Sequence, residues 1–166
     1  ESGVVTEGTF SKGIPYGHHN LTLPSGDSYI GSLEDGVMTG EGELVTADGS
    51  RFKGTFRNGE VHGYAVCTFE DGTRIEGIWK GGLAKEATAI FGGEWEGATY
   101  VGGFKDGLFH GKGKFEAQEE LNHPSYEGEW EEGAPHGMGE LKHQSLIYEG
   151  EVETLQVFCR LSLLLY

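Results

Sequence analysis

The sequence predicts an all-β fold built from tandem β-hairpins, and three observations support this prediction. One pattern of aromatic and glycine residues recurs several times along the chain. Within each copy these residues stand at alternate positions, a period of two that is typical of β-strands and fits no helix. A glycine lies midway through each copy, where a chain reversal requires positive φ.

The clearest copy, YVGGFKDGLFHGKGKF, runs from Tyr100 to Phe115. Tyr100, Gly102 and Phe104 fall at alternate positions and therefore share one face of a strand. The segment that ends at Phe115 alternates in the same way, and we expect residues 106–110 to connect the two. Each copy is therefore predicted to form one β-hairpin.

The glycines inside the predicted strands need a structural reason, because glycine weakens an isolated strand. We expect an aromatic ring from the next hairpin to lie flat over the backbone at each of them. A single hairpin is marginally stable in water, so the hairpins must stack on one another. The predicted result is an elongated, twisted antiparallel sheet in which each hairpin contacts mainly its neighbours.

The pattern Tyr-x-Gly-x-Trp/Phe-x-x-Gly-x-x-His-Gly-x-Gly-x-Leu/Phe resembles the MORN repeat (membrane occupation and recognition nexus). The resemblance extends over roughly residues 6–152, which is nearly the whole chain. It implies stacked hairpins that form a single-layer, twisted rod with a groove. It also implies a scaffold or partner-binding role with no catalysis in the repeats themselves.

The predicted domain organisation is an array of repeats over residues 1–153, followed by an apolar segment at 154–166. Six copies and a partial seventh begin at Thr6, Tyr29, Phe52, Ile75, Tyr100, Tyr126 and Tyr148. The first copy is degenerate, since Thr6 replaces the ring and His19 replaces a glycine. The apolar segment is interpreted as a cap on the last strand or as an interface, including a homodimer interface. The chain opens within the pattern and without Met, as a fragment of a longer protein would.

Composition and charge exclude several classes of protein. Thirty glycines with only four prolines, together with nine Phe, seven Tyr and three Trp, fit neither collagen nor a disordered chain. The net charge of −15 argues against nucleic acid as a partner and makes a membrane lipid partner unfavourable. No stretch is long and apolar enough to span a bilayer, and no signal-peptide pattern is present. Cys67 and Cys159 fit reduced thiols, so we expect a cytoplasmic protein.

Nothing in the sequence indicates catalysis, a cofactor or a metal site. His62, His110 and His136 occupy one position in three copies, before a glycine, and are interpreted as turn residues. Stacked copies place them about 9.5 Å apart, which is too far for shared metal ligation. No phosphate-binding loop is present, and no nucleophile, base or carboxylate pair stands out.

Two groups of residues are candidates for binding a partner protein. The rings Tyr29, Phe52, Tyr100, Tyr126 and Tyr148 are either core residues packed over glycines or the lining of a groove. Glu127, Glu129 and Glu131 share one face of a strand, and Glu149, Glu151 and Glu153 repeat that arrangement. Such a face is either simply solvated or, because like charges on neighbouring strands repel, suited to a basic partner.

The function predicted from these features is a non-catalytic scaffold or adaptor that binds a basic or apolar protein segment. The family resemblance leaves two alternatives open. One is the targeting region of a larger enzyme, such as a SET lysine methyltransferase or a phosphoinositide kinase. The other is a structural component of a cytoskeletal or ciliary assembly.

Overall fold

The computed structural model describes residues 3–118 and 123–152. In these residues the chain forms thirteen antiparallel β-strands and one short 3-10 helix, and the strand order in the sheet follows the order along the chain. The predicted all-β fold of tandem hairpins is therefore confirmed. The apolar segment 154–166 lies outside the described residues.

The strands are short, with seven to ten residues each. They are β1 (Val5–Ser11), β2 (Ile14–Thr22), β3 (Ser28–Glu34), β4 (Val37–Val45), β5 (Arg51–Arg57), β6 (Glu60–Thr68), β7 (Arg74–Lys80), β8 (Leu83–Ile90), β9 (Thr99–Lys105), β10 (Leu108–Glu116), β11 (Ser125–Glu131), β12 (Ala134–His143) and β13 (Leu146–Val152). The 3-10 helix, Gly93–Trp95, lies between β8 and β9.

The chain divides into two compact units. Unit 1 holds the residues up to Asp71 together with Glu76–Gly82, and unit 2 holds Gly72–Ile75 and the chain from Leu83 onward. Unit 1 contains the hairpins β1/β2, β3/β4 and β5/β6. Unit 2 contains β8 and the hairpins β9/β10 and β11/β12, followed by β13.

The hairpins are closed by two-residue turns in which both residues have positive φ. Between β9 and β10 these residues are Asp106, with φ of 51°, and Gly107, with φ of 78°. Positive φ at both positions is the backbone geometry of type I′ turns, which match the twist of the flanking strands. The turn is shorter than predicted, because Leu108 already begins β10.

A β-bulge follows each of these turns in the second strand of the hairpin. In β9/β10 the register changes between His110 and Gly113, and Gly111 within this segment has φ of 72°. The predicted turn role of His62, His110 and His136 is therefore wrong. These histidines lie on β6, β10 and β12, each directly before a bulge glycine with positive φ. The chain reversal has already been completed by the two-residue turn.

The ring of Tyr100 lies against the backbone of two glycines, one on each strand of its hairpin. A Cβ atom added to Gly102 would lie 2.6 Å from the tyrosine Oη, and one added to Gly113 would lie 2.3 Å from it. Tyr29 and Tyr126 cover the corresponding glycines of their hairpins in the same way. The predicted contact is thus present, but the ring comes from the same hairpin and not from the next one. A strand side chain leans along its own strand, which brings it over position i+2.

The hydroxyl of each such tyrosine donates a hydrogen bond to the carbonyl oxygen three residues later. The Oη···O distances are 3.1 Å for Tyr29 to Ser32, 2.9 Å for Tyr100 to Gly103, 3.1 Å for Tyr126 to Glu129 and 2.9 Å for Tyr148 to Glu151. In β3/β4 and β11/β12 the accepting residue stands where the register shifts. The hydroxyl therefore pairs a carbonyl at the point where the bulge disrupts the ladder.

The first hairpin reaches the same packing with different residues. Its buried His19 covers Gly8, since a Cβ added to that glycine would lie 2.5 Å from the imidazole Nδ1. His19 Nε2 donates to the Thr9 carbonyl oxygen at 2.6 Å, and Nδ1 lies 2.9 Å from Thr6 Oγ1. The histidine thus occupies the place of the absent tyrosine, a role that the sequence did not suggest.

Rings from consecutive hairpins join these small cores in unit 2. Tyr100 stacks on Phe109 with a centroid distance of 3.8 Å and meets the edge of Trp130 at 5.3 Å. Trp130 Nε1 donates to the Gly113 carbonyl oxygen at 2.9 Å. The core of unit 2 therefore lies on one face of its strands. In unit 1, the predicted core residue Cys67 is fully buried, and burial raises the pKa of its thiol to about 12.

Candidate protein-binding surface

The two faces of β11 in unit 2 are chemically distinct. Tyr126 and Trp130 are buried on one face, at 1% and 2% exposure. Glu127, Glu129 and Glu131 are exposed on the other face, as their alternation predicts. The exposed face is therefore the one that can meet a partner.

A groove of about 620 Å³ crosses the exposed face of β9–β13. Its side chains are of two kinds, charged and apolar. They are Lys112, Lys114, Glu127, Glu129, Glu140 and Glu149, together with Val101 and Met138. The groove lies entirely within unit 2.

The floor of the groove is glycine backbone. Gly113, Gly128, Gly139 and Gly150 line it, and a Cβ on any of them would point to the other face, against a tyrosine ring. Side chains stand only at the two positions that flank each glycine. These two positions are about 6.7 Å apart along the strand. The same alternation that builds the core thus leaves a narrow channel between two rows of side chains.

Carboxylates dominate one of these rows. The strand register places Glu127 opposite Glu140, and Glu140 opposite Glu149. Neighbouring strands are about 4.8 Å apart, so these three carboxylates form a line across β11, β12 and β13. Like charges directly opposite one another destabilise a sheet.

Lysines partly offset this charge. Lys114 Nζ lies 2.6 Å from Glu116 and 3.9 Å from Glu127, and the hydrogen bond to Glu116 raises the pKa of Lys114. Lys142 forms an ion pair with Glu140, and the hydrogen bond between them lowers the pKa of the Glu140 carboxyl. The groove lining still carries four carboxylates against two ammonium groups.

Two apolar side chains complete the lining, near opposite ends of the groove. Val101 on β9 is 53% exposed, and Met138 on β12 is 62% exposed. The strand register places Val101 in the same row as Lys114 and Glu127. The groove therefore presents Val101 at its β9 end, whereas at β11–β13 carboxylates surround Met138.

The structure separates the candidate residues that the sequence grouped together. Among the rings, Tyr29, Tyr100 and Tyr126 are buried, Phe52 is half-buried, and Tyr148 is 47% exposed. The buried rings lie on the core face and so do not line the groove. Of the glutamates, Glu127 and Glu129 line the groove. Glu131 instead stands at the turn end of β11, with its carboxylate 3.5 Å from His136 Nε2.

Sequence reasoning missed five of the groove residues, namely Val101, Lys112, Lys114, Met138 and Glu140. A signal was present, because each of them is directly adjacent to a strand glycine. A residue next to a glycine that a ring covers must face away from the core. Applied to every copy of the pattern, this rule selects these positions.

The described part of the chain contains neither a candidate metal site nor a helix that could cross a membrane. Its His, Cys, Asp and Glu side chains form no cluster of three or more that could hold a metal ion. Residues 3–118 and 123–152 also contain no helix with the length and hydropathy needed to cross a membrane.

Comparison with known proteins identifies the family to which the chain belongs. The family model for the MORN repeat matches residues 29–51, 52–74, 100–117 and 126–144, which together make up half of the chain. A search of curated proteins found no match. The four matched segments correspond to the hairpins β3/β4, β5/β6, β9/β10 and β11/β12. This protein belongs to the MORN-repeat family.

Proposed function

We propose that this protein is a non-catalytic scaffold whose groove in unit 2 binds a segment of a partner protein that carries basic side chains. MORN repeats are protein- and membrane-interaction repeats, which supports a binding role. The observation that carries the proposal is the line of carboxylates Glu127, Glu140 and Glu149 along an open groove.

The electrostatics of the groove favour a basic occupant. The opposed carboxylates of β11, β12 and β13 repel one another across the strands, and cationic side chains placed between the two rows would relieve that repulsion. Phosphate-rich partners would add negative charge to the same place, which disfavours nucleic acids and anionic lipids.

The exposed apolar residues support a protein partner over a simple cation. Val101 and Met138 offer apolar contact area within the same groove as the carboxylates. Protein interfaces combine apolar contacts with charged groups at the rim, and methionine adapts its shape to different partners. A protein segment with both apolar and basic side chains satisfies both parts of the lining.

Charge reversal inside the groove tests the proposal. We expect the double variant Glu127→Lys and Glu129→Lys to lose partners that the unaltered protein captures from a cell extract. Affinity should fall at least tenfold, because two attractive charges become two repulsive ones in a site that selects cations. Capture is quantified by mass spectrometry and then by titration of the purified partner.

The chain offers a matched control for this experiment. Glu131 lies on the same strand and face as Glu127 and Glu129, is also exposed, and stands outside the groove lining. Glu131→Lys should therefore retain the partners. Retention of every partner by the double variant, with an unchanged circular dichroism spectrum, would contradict the proposed role of the groove.

The two alternatives from the family resemblance stay predictions. A targeting region of a larger enzyme and a structural component of a cytoskeletal or ciliary assembly both depend on chain or partners beyond the described residues. Homodimerisation through residues 154–166 is likewise a prediction about a segment outside them.

A further inference from the structure

We infer that the groove of unit 2 binds an extended, polyproline II-like segment with two basic residues three positions apart and an apolar residue three positions beyond one of them. This inference rests on the proposed binding function and names the class of ligand for the same groove. It follows from the width of the groove, the spacing of its carboxylates and the position of Val101.

The width of the groove favours an extended chain. The two rows of side chains stem from positions about 6.7 Å apart on each strand, with glycine backbone between them. An α-helix with its side chains is about 10–12 Å wide, whereas an extended chain occupies about 5 Å between neighbours in a sheet. A backbone without side chains at the floor lets an extended segment approach closely.

The spacing of the carboxylates sets the spacing of the cations. Glu127 on β11 and Glu149 on β13 are separated by two strand spacings, about 9.5 Å. Glu140 stands between them and is ion-paired with Lys142. In polyproline II conformation, three residues advance the chain by about 9.3 Å and return the side chain to the same side. Basic residues at positions i and i+3 therefore reach Glu127 and Glu149 together.

Other extended conformations match this line of carboxylates less well. In a β-strand, residues i and i+3 point to opposite sides, and residues i and i+2 are only about 6.7 Å apart. The three-residue period of polyproline II equals the repeat distance of one hairpin. The match therefore continues along the row from β13 to β9.

The β9 end of the groove determines which kind of residue the bound segment carries at its third contact position. Val101 lies two strands from Glu127 in the same row, with Lys114 between them. A third cation at this place would meet Lys112 and Lys114, which both line the groove. An apolar side chain there contacts Val101 without that repulsion. The preferred segment is thus apolar-x-x-basic-x-x-basic, in either chain direction.

Short labelled peptides test this inference directly. The probes are fluorescein-labelled LAPRAPRAP and its reverse, PARPARPAL, each compared with LAPRRAPAP, which has the same composition but adjacent arginines. Fluorescence anisotropy at low salt gives the dissociation constants for the full chain. We expect one of the spaced peptides to bind about fivefold more tightly than the peptide with adjacent arginines, the effect of one exposed ion pair.

Two variants identify the carboxylate that is responsible for the preference for spaced arginines. Glu149→Gln should bind both kinds of peptide equally, because the second carboxylate of the spaced pair is gone. Glu131→Gln removes one exposed charge of β11 outside the groove and should keep the fivefold preference. Both substitutions are at exposed positions, so the fold is retained and circular dichroism confirms it.

The outcomes separate this inference from the proposed function. Equal affinity for spaced and adjacent arginines, or no binding of any peptide, overturns the inference. The same holds for a spacing preference that persists in Glu149→Gln. In each of these cases, loss of natural partners in the Glu127→Lys and Glu129→Lys variant would still support the groove as a binding site.

Discussion

The hairpin β1/β2 of unit 1 and the hairpin β9/β10 of unit 2 differ in which strand supplies the ring that covers their glycine backbone. In β9/β10 the first strand supplies Tyr100, and the second strand supplies Gly113. In β1/β2 the second strand supplies His19, which covers Gly8 of the first strand. The residue at the tyrosine position, Thr6, is small, and its Oγ1 lies 2.9 Å from the imidazole Nδ1.

Both hairpins nevertheless satisfy the same two requirements. One planar ring fills the space above the paired strands, and one polar atom of that ring donates to the carbonyl three residues after the tyrosine position, Gly103 or Thr9. The difference teaches that the repeat constrains a volume and a hydrogen bond, while the identity of the residue at each place is secondary. Sequence patterns that count only tyrosine and glycine score such a hairpin as degenerate.

The largest expected effect comes from removing the ring in the regular hairpin. Tyr100→Ala should lower the free energy of unfolding by about 4 kcal/mol, because it leaves a cavity among Phe104, Phe109 and Trp130. Urea denaturation followed by tryptophan fluorescence measures this. Val101→Ala, at the exposed neighbouring position, should cost less than about 1 kcal/mol. Equal costs for the two variants would contradict the packing role of the ring.

Substitutions at positions 6 and 19 test whether the first hairpin can adopt the arrangement of β9/β10. His19→Gly alone should cost about 2 kcal/mol, since the ring and its hydrogen bond to Thr9 are lost. Thr6→Tyr alone should cost a similar amount, because the new ring meets His19 in an occupied space. The double variant rebuilds the regular arrangement and should come within about 1 kcal/mol of the unaltered protein.

A double-mutant cycle from urea denaturation gives the coupling energy of this exchange. We expect a strongly favourable coupling between positions 6 and 19. Additive losses in the double variant would show that the two positions do not share one space.

The smallest expected effect concerns the tyrosine hydroxyl. Tyr29→Phe should cost about 1 kcal/mol at neutral pH, because the Ser32 carbonyl loses its donor at 3.1 Å. Burial, reinforced by the nearby Glu41, raises the pKa of Tyr29 to about 12, whereas the unfolded chain has the ordinary value near 10. The unfolded state therefore releases this proton first as the pH rises. The contribution of protonated Tyr29 to the free energy of unfolding is fully present below about pH 10 and is lost between about pH 10 and 12.

The same variant separates the contribution of the hydrogen bond to Ser32 from that of the ionisation of Tyr29. Tyr29→Phe should remove one tyrosine's share of the alkaline loss, up to about 1.4 kcal/mol per pH unit. Urea denaturation of both proteins at a series of pH values up to 12 measures it. Identical pH dependence of the two proteins would contradict a raised pKa for Tyr29.

Much of the fold could be predicted from the sequence, because strand periodicity and turn chemistry are local. The alternation around Tyr100 predicted strands, and the glycine of Asp106-Gly107 predicted the chain reversal, since only certain residues accept positive φ. The bulge at Gly111 could not be distinguished from the turn, because both require positive φ within a few residues. The covering ring was also expected from the wrong hairpin, since the pattern does not say toward which glycine a ring leans.

The candidate site was predicted in part. The exposed face of Glu127 and Glu129 followed from alternation along β11. The groove itself did not follow, because it requires the register that brings Glu140, Glu149 and Lys114 beside Glu127. A shift of one residue in any of these pairings would place each of these side chains on the opposite face.

The sequence by itself determined the kind of fold, the repeat and the sign of the charge on the exposed face. Each of these depends on residues within one copy of the pattern, through local backbone preferences and alternation. Only the tertiary structure decided that Tyr29, Tyr100 and Tyr126 belong to the core, that His19 stands in for a tyrosine, and that carboxylates from three strands line one groove. These depend on which residues face one another across strands, and that is fixed by the bulges and by packing between hairpins.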